Sequence, residues 1–165
     1  MVFCTRFEAD NKINLTTVVI KKCTGYTNQS TPVAMPATIN QTGLVNIGTA
    51  IGTVVIHVIP TANGCIGNEM TYSIDVYPRP IGSATTPNPI CSEETFIAPL
   101  NSNLSITTLY TWTATNITGT ASGFSDNNTK TSGPISQTLT NTGGINATVR
   151  STVTPYTDLP SGLFC

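Results

Sequence analysis

Few residues in this chain have the types and spacing that catalysis requires. His57 is the single histidine among 165 residues, so a site built from a nucleophile, a histidine and an acid has almost no material. Glu93 and Glu94 are adjacent, and neighbouring residues on a strand face opposite ways, which favours a solvated turn over an acid/base pair. We therefore predict that the protein is not an enzyme and holds no cofactor.

Metal binding finds little support in the sequence. The acidic residues are scattered and form no Asp-x-Asp-x-Asp loop of the kind that binds calcium. The only oxygen-rich turn in the sequence is 126–128, which contains one aspartate and two asparagines. None of the five cysteines forms a CxxC pair, and His57 has no ligand-like spacing to any of them. We therefore predict no zinc site.

The composition points to an all-β protein that is exposed outside the cell. Only 9% of residues are charged and the formal net charge is −1, so there is no basic field to attract nucleic acid or an anionic membrane. Thr is the commonest residue, and β-branched side chains favour strands over helices. No apolar run is long enough to span a membrane. The first twelve residues lack the apolar core of a secretion signal, so a signal was removed or the chain is a piece of something longer.

Sequence phrases recur in one order along the chain. The matched pairs are 24–30 with 122–128, 37–43 with 137–143, and 52–65 with 147–165. The spacing between the copies drifts, as loop-length changes between homologous repeats would produce. The sequence therefore predicts two copies of one structural unit.

Alternation within the repeated strands identifies the core. Val54, Ile56 and Val58 alternate with Val55, His57 and Ile59, and the second copy is polar at the latter set. We therefore expect the Val54/Ile56/Val58 face to be buried and His57 to point outward. Trp112, the single tryptophan, should be the centre of its own core.

Short strands with Gly/Asn turns and an inward Trp indicate immunoglobulin-like β-sandwiches. The stretch 77–89 carries four prolines and no apolar periodicity, which is typical of a stiff linker. The predicted fold is two tandem sandwich repeats, occupying 1–79 and 80–165.

The second copy resembles the PKD-like, Ig-like repeats found in tandem in very large surface proteins of Bacteroidetes. The resemblance covers most of 24–165, whereas 1–23 matches poorly. The phrases that carry it are 90–103, 110–115, 122–127, 133–143 and 152–155, with 59–67 and 72–80 from the first copy.

The resemblance implies a disulfide and also implies where each repeat begins and ends along the chain. The two cysteines of one repeat are the natural pair, which implies Cys91 with Cys165 and leaves the partner of Cys65 outside this chain. The first copy lacks its opening segment, and the second stops before its last strand. The resemblance thus implies the C-terminal portion of one repeat at 1–79 and the N-terminal portion of the next at 80–165, each incomplete.

The residues themselves suggest a second disulfide. Disulfides suit a Thr-rich β protein in an oxidising compartment, and an odd count leaves one sulfur unpaired. The alternating run in 1–23 is consistent with a hairpin pinned by Cys4 and Cys23, and Cys4 or Cys23 with Cys65 is the alternative.

We predict a structural repeat segment of a secreted bacterial surface adhesin or extracellular filament, a disulfide-stapled stalk at the cell surface. The resemblance implies gliding-type adhesins exported by the type IX route. The chain is then a fragment of a longer array, or a subunit that polymerises by strand addition. Its partners would be neighbouring repeats or identical subunits, without nucleic acid or membrane insertion. The alternative is a module that binds surface glycans or proteins through sandwich loops, which a cluster of exposed aromatics would mark.

Overall fold

All the regular structure that can be described is β-strand. The computed structural model describes residues 11–19, 23–34, 38–62, 65–83, 85–160 and 162, and none of them is in a helix. The chain divides into two compact units, Met1–Pro78 and Arg79–Cys165. The division lies one residue from the predicted boundary, inside the proline-rich stretch. Cys4 and Cys165 lie outside the described residues.

The first unit is built around a long central pair of strands. Its strands are β1 (Asn11–Val19), β2 (Cys23–Thr24), β3 (Gln29–Ala34), β4 (Val45–Asn46), β5 (Gly52–Ala62), β6 (Cys65–Ile66) and β7 (Met70–Val76). β1 lies between β3 and β5, and β5 also pairs with β6 and β7. β2 and β4 form a separate ladder. The alternating run predicted as half of a local hairpin is therefore a strand flanked by β3 and β5, which is a correction.

The second unit contains two three-stranded sheets. Its strands are β8 (Gly82–Ser83), β9 (Glu94–Ala98), β10 (Asn101–Ser102), β11 (Thr108–Thr118), β12 (Ala121–Ser122), β13 (Asn127–Thr131), β14 (Ile135–Asn141) and β15 (Thr148–Thr157). One sheet has the order β13-β11-β15 and the other β12-β14-β9, while β8 pairs with β10. The tandem Ig-like sandwich fold predicted from the sequence is confirmed.

Strand alternation places the core of the first unit where the sequence indicated. Val54, Ile56 and Val58 are 0%, 1% and 2% exposed, and Cys23 belongs to the same cluster. The intervening residues of β5 are half-buried. The period of two along β5 therefore sets which face packs inward.

Trp112 anchors the second unit through both packing and a hydrogen bond. It packs with Ala98 and Ile135, one from each strand β9 and β14 of the facing sheet. Its indole N–H donates to the carbonyl oxygen of Ser125 at 3.2 Å, and Gln137 Nε2 donates to the same oxygen at 2.7 Å. The turn before β13 is thereby fixed to both sheets.

A glycine turn is repeated in both units. Gly25 has φ +83° and Gly123 has φ +87°, a region that favours glycine. A Cβ would lie 2.0 Å from the carbonyl oxygen of Gly43 in the first case and 2.1 Å from that of Thr138 in the second. The same steric demand at both positions supports the predicted match of 24–30 with 122–128.

The match of 37–43 with 137–143 is wrong in register. Asn141 Nδ2 donates to the carbonyl of residue 145, and its Oδ1 accepts from the backbone N–H of residue 143. In the first unit Asn46 makes these contacts, to residues 50 and 48. The true equivalents are therefore Asn46 and Asn141, and the side-chain geometry of the turn reveals what the Thr-rich phrase obscured.

Candidate functional site

His57 has a partner that the sequence did not reveal. On the outer face of β5, its Nδ1 contacts the Oε1 atom of Glu69, and both side chains are partly exposed. Glu69 lies just before β7, which pairs with β5 so that His57 stands opposite Thr71. The contact links β5 to the start of β7, and among the described residues no nucleophile contacts the ring. This arrangement is a partly exposed side-chain contact that joins the two strands.

The adjacent glutamates form part of a tight turn. Glu94 Oε2 accepts the backbone N–H of Cys91 at 2.8 Å, and Glu94 donates its own N–H back to the Cys91 carbonyl at 3.2 Å. Glu93 has φ +70° and donates its N–H to the Leu139 carbonyl at 2.7 Å. The two carboxylates therefore differ in role, and Glu94 serves the turn that leads into β9.

The oxygen-rich turn 126–128 also has a local structural role. Asp126 Oδ1 accepts the backbone N–H of Ala114 at 2.7 Å, and Asn127 Oδ1 accepts that of Thr129 at 3.0 Å. These contacts occur where the pairing of β11 with β13 shifts register. Within the described ranges, no three His, Cys, Asp or Glu side chains gather into a group that could hold a metal ion.

Two of the cysteine pairings predicted from the sequence are not found. Cys91 is an exposed free thiol, so the pair Cys91–Cys165 is wrong. Cys23 is a buried free thiol, so Cys4–Cys23 is wrong as well. Burial raises the pKa of the Cys23 thiol through desolvation, and the residue packs as a small apolar side chain. Cys65 is disulfide-bonded within the chain, so the expectation that its partner lies outside this chain is wrong; neither Cys23 nor Cys91 is that partner.

A groove runs along one side of the second unit. Among the described residues, β15 pairs with β11 and β9 pairs with β14, which leaves one edge of each strand unpaired. A cavity of about 580 Å³ lies between these edges. We call it the β15 groove; its lining includes Val149, Ser151, Val153, Ala98, Leu100 and Ile135. The walls are mixed, because Thr85, Thr86, Asn101, Thr148 and Arg150 also line the groove. A groove beside a free strand edge suits an extended peptide, whose backbone can pair with that edge.

The equivalent strand edge in the first unit is paired. There β7 lies antiparallel on β5, with Ile74, Tyr72 and Met70 opposite Val54, Ile56 and Val58. Opposite residues in such a ladder share one face of the sheet. Val54 and Val58 of β5 are buried, whereas the corresponding Val149 and Val153 of β15 are only half-buried. The sequence alternation alone gave no sign of this difference.

A family model described as "PKD-like domain" matches residues 21–80 and 88–161. The chain belongs to the PKD-like domain family. The two matched segments agree with the tandem copies indicated by the glycine turn, the asparagine turn and the Trp112 core. Searches of curated proteins and of solved structures gave no significant match.

Family membership supports coarse statements about location and activity. PKD-like domains are typically extracellular and generally non-catalytic. The part of the chain that the structure describes contains no helix long and apolar enough to cross a membrane. The hydrogen bonds of His57, Glu94 and Asp126 with neighbouring residues are consistent with a structural role.

Proposed function

We propose that this protein is a structural repeat segment of a secreted surface adhesin or extracellular filament of a bacterium. The observation that carries the proposal is the repetition of one framework in two units that follow each other in the sequence. Each unit has the same glycine turn and the same asparagine turn, and in each unit a long strand follows the asparagine turn. Extended repeat proteins are built by repeating one structural unit along the chain, as a stalk requires.

The chemistry of the side chains supports the same function. Glu94 and Asp126 are bonded to backbone N–H groups, and His57 faces Glu69 across two paired strands. The low charge and Thr-rich strands give a neutral surface suited to spacing rather than electrostatic capture. The proline-rich stretch between the units limits the conformations of the connection.

Single-molecule force spectroscopy tests the proposal on the full chain placed between two marker domains, under reducing conditions. A stalk should extend in two discrete events, one for each unit. At about 3.5 Å per residue, the unfolded Met1–Pro78 spans at most about 270 Å and the unfolded Arg79–Cys165 at most about 300 Å. Each step should equal this length minus the end-to-end distance of the folded unit. The marker domains provide the control for a single tether.

Two results would count against the stalk function. Extension without discrete events would show that the units do not resist load. Retention of the chain in the cytoplasm of its native host, measured by fractionation with a cytoplasmic marker, would exclude a surface role.

A further inference from the structure

We propose that the β15 groove is an acceptor site for an added β-strand with the apolar alternation of β7, supplied by a further repeat unit of this kind. The source of the strand rests on the proposed repeat function, whereas the acceptor site rests on the geometry of the second unit. The added strand would pair with the free edge of β15 and cover the groove.

The first unit provides the template for the register. The number of residues from Asn46 to Asn141 equals the number from Pro60 to Pro155. The stretch from the asparagine turn to the long strand therefore has the same length in both units, and β5 can be aligned with β15 without an insertion. β7 pairs with β5 from Gly52↔Val76 to Val58↔Met70. The transferred register makes 147–153 the accepting segment, running antiparallel to the added strand.

The asparagine turn carries a polar contact for the same strand. Asn46 Nδ2 donates to the carbonyl of Ala50 at 2.8 Å and to that of Val76, on β7, at 2.7 Å. Asn141 Nδ2 donates to Ile145 at 2.8 Å, and within the described residues no second acceptor is found for it. A primary amide has two N–H groups, so the second one is available to the carbonyl of an added strand.

The groove also favours large side chains on that strand. Ser151 occupies the position that Ile56 occupies in β5, so β15 contributes less volume at the centre of the groove. The residue opposite Ile56 is Tyr72. An aromatic side chain on the added strand opposite Ser151 would fill this space, with smaller apolar residues beside Val149 and Val153.

A synthetic peptide with the sequence of residues 68–78 tests the site on the full chain. The control peptide has the same composition but exchanges residues within each pair 70/71, 72/73 and 74/75, which moves the apolar side chains to the other face. Hydrogen–deuterium exchange reports on each strand edge separately. At about ten times its Kd, the native-pattern peptide should slow exchange within 147–153 about tenfold, and the control peptide should have no effect.

Paired substitutions separate groove binding from attachment elsewhere. Val149→Asp places a charge in the groove and should abolish the protection, whereas Thr152→Asp, on the exposed face of the same strand, should preserve it. Ser151→Tyr provides a second groove variant that adds rather than removes volume. It should raise the Tm and weaken peptide binding at least tenfold, so misfolding of Val149→Asp would not leave the proposal untested.

Three results would overturn the proposal. The first is equal protection by both peptides. The second is protection confined to 52–58, which would mean exchange with β7 on β5. The third is protection of 147–153 in the chain alone that grows with chain concentration and resists the peptide, which would assign the groove to a second copy of the chain. None of these depends on whether the chain resists force, so the stalk function stands or falls separately.

Discussion

Replacement of Gly123 by alanine should destabilise the second unit strongly. Holding an L-residue in the left-handed region costs about 1–2 kcal/mol, and the φ of Gly123 is +87°. The new Cβ would also lie 2.1 Å from the Thr138 carbonyl oxygen, which is backbone of β14 and cannot rotate away. Relieving such an overlap costs about 1–3 kcal/mol. We therefore expect a loss of about 2–5 kcal/mol, a large share of the ~5–15 kcal/mol that stabilises a typical domain.

Urea unfolding followed by the fluorescence of Trp112 measures this loss, because the single tryptophan lies in the core of the second unit. For a unit of this size, with a slope of about 1 kcal/mol per molar urea, the midpoint should fall by about 2 M or more. Gly144→Ala is the matched control, since its Cβ would meet nothing within 4 Å and it has no positive φ. A Gly123→Ala midpoint within 0.5 M of this control would refute the steric argument.

Four further predictions concern polar and sulfur groups. Asn46→Ala should cost about 2–4 kcal/mol and speed amide exchange in β7, because it removes the donor that bonds the carbonyl of the half-buried Val76. Asn141→Ala should cost about 1 kcal/mol, and equal costs for the two variants would contradict the comparison of the two turns. Native-state alkylation with peptide mapping should label Cys91 and spare Cys23. Burial raises the pKa of Cys23, so the unfolded state loses the thiol proton at a lower pH than the folded state. The unfolding free energy of the first unit should therefore fall as the pH rises above the ordinary thiol pKa, and below that pH Cys23 should have no effect on its pH dependence. Cys23→Ala should remove this pH dependence. Glu69→Gln should change stability by less than about 1 kcal/mol, because the His57–Glu69 pair is partly exposed.

The sequence predicted the structural features that depend on hydrophobic periodicity and on the need for a glycine in a tight turn. The burial of Val54, Ile56 and Val58 follows from a period of two, and the match of Gly25 with Gly123 follows from a backbone that tolerates no Cβ. The register of the Thr/Asn phrase could not be predicted in the same way. Thr and Asn recur so often that several alignments look equal, and only the side-chain bonds of Asn46 and Asn141 distinguish them.

The cysteine pairing failed for a different physical reason. A thiol can be a bridge, a reactive group or an apolar core residue, and the sequence does not say which. Cys23 is a core residue and Cys91 lies exposed before a turn held by Glu94. The pairing implied by the resemblance assumed that the two cysteines of one repeat form a disulfide bond with each other.

The contrast between the units shows which parts of the repeat are constrained. The glycine and asparagine turns recur because each fixes the backbone through contacts that few other residues could make. The inward positions of the long strand changed instead, from Val54, Ile56 and Val58 in β5 to Val149, Ser151 and Val153 in β15. Where β7 pairs with β5, Val54, Ile56 and Val58 are buried, whereas Met70, Tyr72 and Ile74 on β7 remain largely exposed. Along β15, a small central residue leaves a groove beside a free edge, so the difference between the copies lies at the position where an added strand would bind.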